Sequence, residues 1–349
     1  MASYWDSRAE YIDRLFSESS GTIIRDQQQL YAELIRSIER EMSHFISSYA
    51  GSNGMSVSEA QKILSISELR EFRDQVRSYQ VIAQKLSEGA TAYSKEELDR
   101  YISRLRTLES RVRVTRLESL RASLERWAVE TGVAQDSLFS SVIPDYTEQV
   151  YDYTSYTIDI EEGFSTGLDP IQLDTLFRQR WMDGSFSSRL WQDKETLLKN
   201  MRTVILQGIA MGHNPRRIAR DLRKKMDSSK SACERIARTE VLHFFNEATY
   251  KAYKAHGIEE YMYMASLDEK TCPICGELDG KVFSLSERQE GVNYPVMHPN
   301  CRCTTRAYLR LYEESDVENS GTRKAKTAEG EYYEVPGDMT YEEWSRIFL

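Results

Sequence analysis

TCPICGELDGKVF (residues 271–283), followed after a short spacer by HPNCRC (residues 298–303), contains all but one of the chain's five cysteines. Cys272 and Cys275 have C-x-x-C spacing on a turn, which lets both sulfurs approach one cation, and His298 with Cys301 repeats that spacing. Zinc takes four such ligands tetrahedrally. The candidates are Cys272, Cys275, His298, Cys301 and Cys303. If CRC continues as a strand, Cys301 and Cys303 point to opposite faces and one of them is a bystander. Four or more soft ligands leave no open coordination position, so the expected cofactor is a structural zinc rather than a catalytic one. A thioredoxin-like redox pair is not expected: it needs C-x-x-C at a helix N-terminus in a parallel α/β setting, and here the neighbours are short strands and Pro273.

Working outward, YMYMAS, GKVF and CTTRAYL each read as a short strand, giving a small antiparallel sheet with the cysteines in its turns. The rest of the chain is helical in period. Ile24, Tyr31, Ile35, Ile38, Met42, Phe45 and Tyr49 recur at steps of four and three, a seam over residues 22–49 interrupted by Gln28. At 1.5 Å per residue that helix is about 40 Å long and needs partner helices. Ser56 with Glu59 forms a capping box for a helix ending near Gly89, and Ser94 with Glu97 opens another segment reaching Val129. In that segment the apolar positions slip phase after Val112, a local unwinding. Residues 131–168, with YDYTSYT, read as a linker with weak strand signals. Asp169–Pro170 and Asn214–Pro215 then cap further helices, and ACERIARTEVLHFFNEATYKAYKAHG ends at Gly257.

The 349 residues, 40% hydrophobic, suffice for a large core, and the formal charge of −9 argues against a dedicated nucleic-acid coat. Apolar runs fall short of the roughly 20 residues of a membrane span, and the start lacks a signal-peptide pattern, so a cytosol-like compartment is expected. Thiols stay reduced there, which favours metal over disulfides. Cys233, alone in its stretch, reads as a small buried apolar residue. The five histidines are dispersed; His44 reads as solvated, and His213 and His243 as structural. One local excess of charge stands out: Arg216, Arg217, Arg220, Arg223, Lys224 and Lys225 form a basic segment suited to phosphates or an acidic partner surface, or else a solvated helix face. Residues 313–338 are charged and poor in apolar side chains, a loosely ordered linker. The final TYEEWSRIFL has a capping box at Thr340 and Glu343, with Trp344, Ile347 and Phe348 on one face as a candidate anchor that should dock on this chain or on a partner.

ARTEVLHFFNEATYKAYKAHGIEEYMYMASLDEKTCPICGELDGKVF and YPVMHPNCRCTTRAYL together resemble phage head-morphogenesis proteins of the Mu F-like minor capsid family. The resemblance rests on Arg238-Thr239-Glu240, Asn246, the Asp268 to Cys272 spacing, Leu278-Asp279-Gly280 and HPNCRC, and extends more weakly to YWDSRAEYI and GSFSSRLW. It implies a low-copy, non-enzymatic virion protein inside the phage head, present in the host cytoplasm during assembly. Its implied partners are the portal protein, the major capsid or scaffolding protein and phage DNA, and its roles procapsid assembly, DNA packaging or DNA ejection. Some relatives carry a toxin domain after the zinc-type domain, but here only about forty residues follow, too few for a folded enzyme domain, so catalysis is not expected and a zinc-dependent nucleic-acid-processing enzyme or toxin is kept as the alternative. The expected fold is mainly α: an elongated N-terminal helical bundle (1–130), a linker and helical middle region (131–235), a small zinc-stapled α+β module (236–310), and a flexible linker with a C-terminal amphipathic helix (311–349).

Overall fold

The computed structural model describes residues 4–49, 56–158, 167–178, 181, 184–211, 213, 215–309, 322–327, 329 and 331–349. The protein is mainly helical, with its strands near the C-terminus. It divides into two compact units: residues 23–140 with 180–234, and residues 1–22 with 141–179 and 235–349.

In the first unit, helix α1 (Tyr4–Tyr49) buries Ile23, Gln27, Tyr31, Leu34, Ile38, Met42, Phe45 and Ile46. The seam is therefore out of phase with the sequence reading at its start: Ile23 rather than Ile24 is buried, and the buried amide is Gln27 while Gln28 faces solvent. The helix expected from Val57 is broken. Helix α2 (Val57–Ala60) is a single turn on the Ser56 cap, and α3 (Ile66–Glu88) starts anew from a Ser65–Glu68 capping box. The phase slip after Val112 is likewise a break, separating α4 (Ala92–Ser110) from α5 (Arg116–Ile158). Thr91, not Ser94, accepts the capping bond of α4, from the Ser94 N–H.

The two breaks satisfy each other. Leu64 N–H donates to Val114 O at 2.8 Å and Arg116 N–H to Lys62 O at 2.9 Å, so backbone groups that left their helices stay paired. Arg116 then bridges Glu59 (3.0 Å) and Glu68 (3.2 Å). Between α3, α4 and α5 lies a core of Phe72, Val76, Tyr79, Leu98, Tyr101, Leu105 and Val133, joined by Trp191 of α7 (Phe186–Ala210). The buried carboxylate of Asp136 accepts from the hydroxyls of Thr91, Ser94 and Ser187.

The expected linker from 131 is instead helix up to Ile158, belonging to the second unit from residue 141 on; residues 159–166 lie outside the described residues. Its Tyr and Thr residues are weak helix formers, but burial overrides propensity. Thr147 and Thr157 donate to Ile143 O and Thr154 O, and Tyr153 packs on Tyr11 at 4.1 Å between centroids. Helix α6 (Pro170–Arg178) follows its Asp169 cap. The two helices read between Asn214 and Gly257 are one, α8 (Pro215–Ala255), whose residues 239–249 are all buried. Gly257, at φ 65°, ends it.

The three strands fall where the sequence placed them. β1 (Glu260–Met264) lies between β2 (Val282–Ser284) and β3 (Thr304–Tyr308), all antiparallel. The expected loose linker is corrected over its described part: β4 (Thr322–Lys326) and β5 (Tyr332–Pro336) form a hairpin, and Leu267 bridges to Ala325. Residues 310–321 lie outside the described residues. Helix α10 (Tyr341–Phe348) closes the chain on its Thr340–Glu343 box. Trp344 is buried with Leu267, Ala325 and Val335 and donates its indole N–H to Tyr333 Oη at 2.7 Å, so it anchors within this unit, whereas Ile347 and Phe348 stay exposed.

The clasp between this segment and the sheet is ionic. Asp279, with no side-chain exposure, pairs with both terminal nitrogens of Arg323 at 2.8 Å and also accepts from the backbone N–H of Ala265 and Tyr341. Removing the cation strands a buried carboxylate, so Arg323→Ala is expected to destabilise the unit by about 3–5 kcal/mol. Denaturant unfolding followed by circular dichroism measures this, and an unchanged midpoint would show that the clasp is not needed.

Candidate metal centre

Short local structures deliver the sulfurs. Cys272 is the N-cap of helix α9 (Pro273–Leu278), with Pro273 at its first position, and its Sγ accepts from the Cys275 N–H at 3.4 Å. Proline's fixed φ favours that start. The C-x-x-C thus does sit at a helix N-terminus, contrary to the sequence reading, but beside an antiparallel sheet. The second segment turns through Asn300 at φ 62°, a left-handed conformation that asparagine tolerates. Cys301 N–H then donates to His298 O at 3.0 Å.

Residues 301–303 are not a strand, because β3 begins at Thr304. The condition that would turn Cys301 and Cys303 to opposite faces is therefore not met. Their sulfurs lie with Cys275 Sγ in one buried trio, all within 4.8 Å of one another. A second trio, Cys272, Cys275 and His298, meets the same limit, so Cys275 belongs to both. Each trio has a geometry that could hold a metal ion.

The histidine tautomer can be deduced. His298 Nδ1 is 2.9 Å from Pro299 O, and a carbonyl only accepts, so Nδ1 carries the proton. In the neutral ring Nε2 keeps its lone pair, and it lies 3.5 Å from Cys275 Sγ. A ring fixed through one nitrogen and offering the other is the usual state of a metal-ligating histidine.

The thiols are strongly coupled. Contacts with Cys275 and Cys303 hold Cys301 far below the ordinary thiol value, while contacts with Cys301 and Cys303 push Cys275 up. Burial opposes ionisation of Cys272, yet the Cys275 N–H and His298 hold its thiol below normal. Thiolates are the metal-binding form.

Three supports escaped the sequence reading. Tyr263 of β1 donates its hydroxyl to Cys275 Sγ at 3.4 Å. On α8, the side chain of Asn246 donates to Cys303 O at 3.4 Å and accepts from Thr304 Oγ1 at 3.3 Å. Thr239 Oγ1 accepts from Asn300 N–H at 3.0 Å. In the sequence Thr239 and Asn246 stand out only through the family resemblance, whereas the alternation of YMYM matches the alternating burial that places Tyr263 inside.

The other candidates lie elsewhere. Arg217, Arg220, Arg223, Lys224 and Lys225 are exposed on α8, opposite the buried Ile218, Leu222 and Met226, and Arg223 pairs with Glu39 at 2.5 Å. The side chain of Arg216 lies outside the described residues. Cys233 is buried as expected but is not in an apolar setting: its Sγ is 3.1 Å from Tyr31 Oη and 3.4 Å from Asp193 Oδ2, and burial pushes its thiol up to about 11.

Residues 199–306 match the family described as Phage Mu protein F like protein, an interval that includes the five candidate ligands. The resemblance to phage head-morphogenesis proteins therefore holds there. The chain is also 29% identical over 175 residues to NAD(+)–arginine ADP-ribosyltransferase EFV of Enterococcus faecalis (strain ATCC 700802 / V583). That match covers 45% of this chain and 36% of the relative, so the chain spans little more than a third of the relative's length. No solved structure matches.

Because Cys275 belongs to both trios, Cys275→Ser is expected to lower bound metal more than Cys272→Ser or Cys303→Ser, each of which leaves one trio intact. Elemental analysis of the purified variants measures this, and equal metal content in all three would refute the shared position.

Proposed function

We propose, taking the Phage Mu protein F-like segment over residues 199–306 as premise, that the chain is a low-copy minor capsid protein inside the phage head at the portal vertex. It acts there in procapsid assembly, DNA packaging or DNA ejection, with the portal and the major capsid or scaffolding protein as partners. The observation that carries this reading is the coincidence of the matched interval with the convergence of Cys272, Cys275, His298, Cys301 and Cys303. We assign zinc to that centre, because thiolates and a neutral imidazole are the donors it favours. A metal shared by these sulfur-rich trios would staple the two segments together. No helix among the described residues is long and apolar enough to cross a membrane, in keeping with a place in the virion.

Zinc formation in such sites is worth about 10–16 kcal/mol apparent at neutral pH. Purified protein is therefore expected to carry zinc, and chelation to melt β1–β3 while the helices of the other unit survive. Protein purified without chelators and lacking zinc would remove this part of the reading. Below neutral pH protons compete for the thiolates, so zinc should leave as pH falls.

The exposed basic face of α8 is proposed to meet DNA or an acidic portal surface. Charge reversal at Arg217, Arg220, Lys224 and Lys225 is expected to weaken that association and flatten its salt dependence. Unchanged binding to both partners would leave the face a solvated one.

The identity to an arginine ADP-ribosyltransferase favours a second reading, that the chain is part of a transferase or toxin. NAD+-dependent modification of arginine substrates by the purified chain would support it. Copurification with portal protein and presence in isolated heads, without such transfer, supports the first.

A further inference from the structure

The all-buried stretch of α8 places several ionisable groups away from water, and one group of them lies outside the cysteine centre. His243 is 1% exposed and Glu247 4% exposed, one turn apart on the same helix. The loop after β2 brings Glu290 to them, its Oε1 2.6 Å from His243 Nδ1. One ligand atom from each of the three lies within 4.8 Å of the other two. Arg288 ion-pairs with Glu247 and stacks between the rings of Tyr250 and Tyr294, at 4.1 and 4.4 Å from their centroids.

We propose that His243, Glu247 and Glu290 form a second site, for a divalent cation that prefers nitrogen and oxygen donors. Two carboxylates this close in a buried setting repel each other, and Arg288 supplies one positive charge for the pair. A cation among the three groups would offset the second carboxylate. Two separate contacts, Arg288 with Glu247 and His243 with Glu290, would not require all three ligand atoms to converge. A cation would use that convergence, and Glu290, at 20% side-chain exposure, gives it an entry side. Three protein ligands leave room for water or another group on the metal. The site also has a structural consequence. It ties the loop at residues 288–290 to α8, and Tyr294 Oη, further along the same loop, donates to Asn246 O at 2.7 Å. The loop leading to His298 and Cys301 is thus held by α8 at several points, independently of the sulfur ligands.

The probe is Mn2+, which suits carboxylate and imidazole and competes poorly for thiolates. Full-length protein, with its cysteine centre left as purified, is titrated with Mn2+ and free ion is read by electron paramagnetic resonance. Wild type is expected to bind about one Mn2+ per chain, and His243→Gln and Glu290→Gln each to weaken binding by on the order of tenfold or more. Sulfur-bound metal content and circular dichroism should stay unchanged in both variants. Should His243→Gln fail to fold, Glu290→Gln, in a partly exposed loop and able to keep a hydrogen bond to His243, decides alone. No Mn2+ binding by the wild type, or equal binding by wild type and Glu290→Gln, overturns the proposal and leaves the cluster as two separate contacts.

Discussion

Cys275 Sγ is the point on which the C-terminal unit depends, because two separate stretches of chain must both arrive there. Residues 272–275 reach it by a single capped turn, and residues 298–303 through the left-handed Asn300. Neither stretch belongs to a strand, so the sheet alone does not hold them. Three strands of three to five residues with a small apolar cluster of Tyr253, Ile258, Tyr261, Leu285, Tyr294 and Ala307 make a modest core. Modules of that size usually need a staple. Cys275, Cys301 and Cys303 gather buried sulfurs around one position, and ionising any of them without a cation is an arrangement that burial penalises. A metal held there would turn that penalty into a staple.

Much of this unit was legible because its signals are local. C-x-x-C, H-x-x-C and the alternation of YMYM each span a few residues, and all three led to the right part of the fold. What failed was an inference resting on extrapolated regularity. Treating CRC as the start of β3 assigned Cys301 and Cys303 to opposite faces, yet the strand begins one residue after Cys303. The supports from α8 were illegible for a different reason. Thr239 and Asn246 act across sequence separations of 61 and 57 residues, which no periodicity reports.

The helical unit shows the same division. Apolar spacing identified α1, but the seam is set by what α1 packs against. Tyr31 donates to or accepts from Ser229 at 2.9 Å and sits near Asp193 and Cys233, so a polar layer lies inside the bundle. Lys194 is buried beside it, its ammonium 5.0 Å over the Tyr31 ring, with burial holding its pKa below normal. An apolar-only template misses such a layer. That is why Gln27, buried one residue from the expected interruption, marks where the template left the correct phase. The breaks at 61–65 and 111–115 were hidden for a related reason, since each is affordable only because the other supplies its backbone partners.

Composition misled most clearly at the C-terminus, and the reason is physical. A charged segment reads as solvated because each charge is presumed to face water. Arg323 does not: its guanidinium is satisfied by Asp279 and by the carbonyls of Ala265 and Met339. The partners lie in the Leu-Asp-Gly stretch and the strand end that the cysteine-bearing module already contains. The family match stops at residue 306, but the packing does not. Leu267 is covered by Ala325, Val335 and Trp344, and the ring of Tyr341 lies where a Cβ on Gly276 would be, 2.3 Å from its Cδ1. A glycine in the C-x-x-C helix is therefore required by a tyrosine on α10. The hairpin and last helix are part of the same folded body as the cysteine cluster, and a change in either is felt by the other.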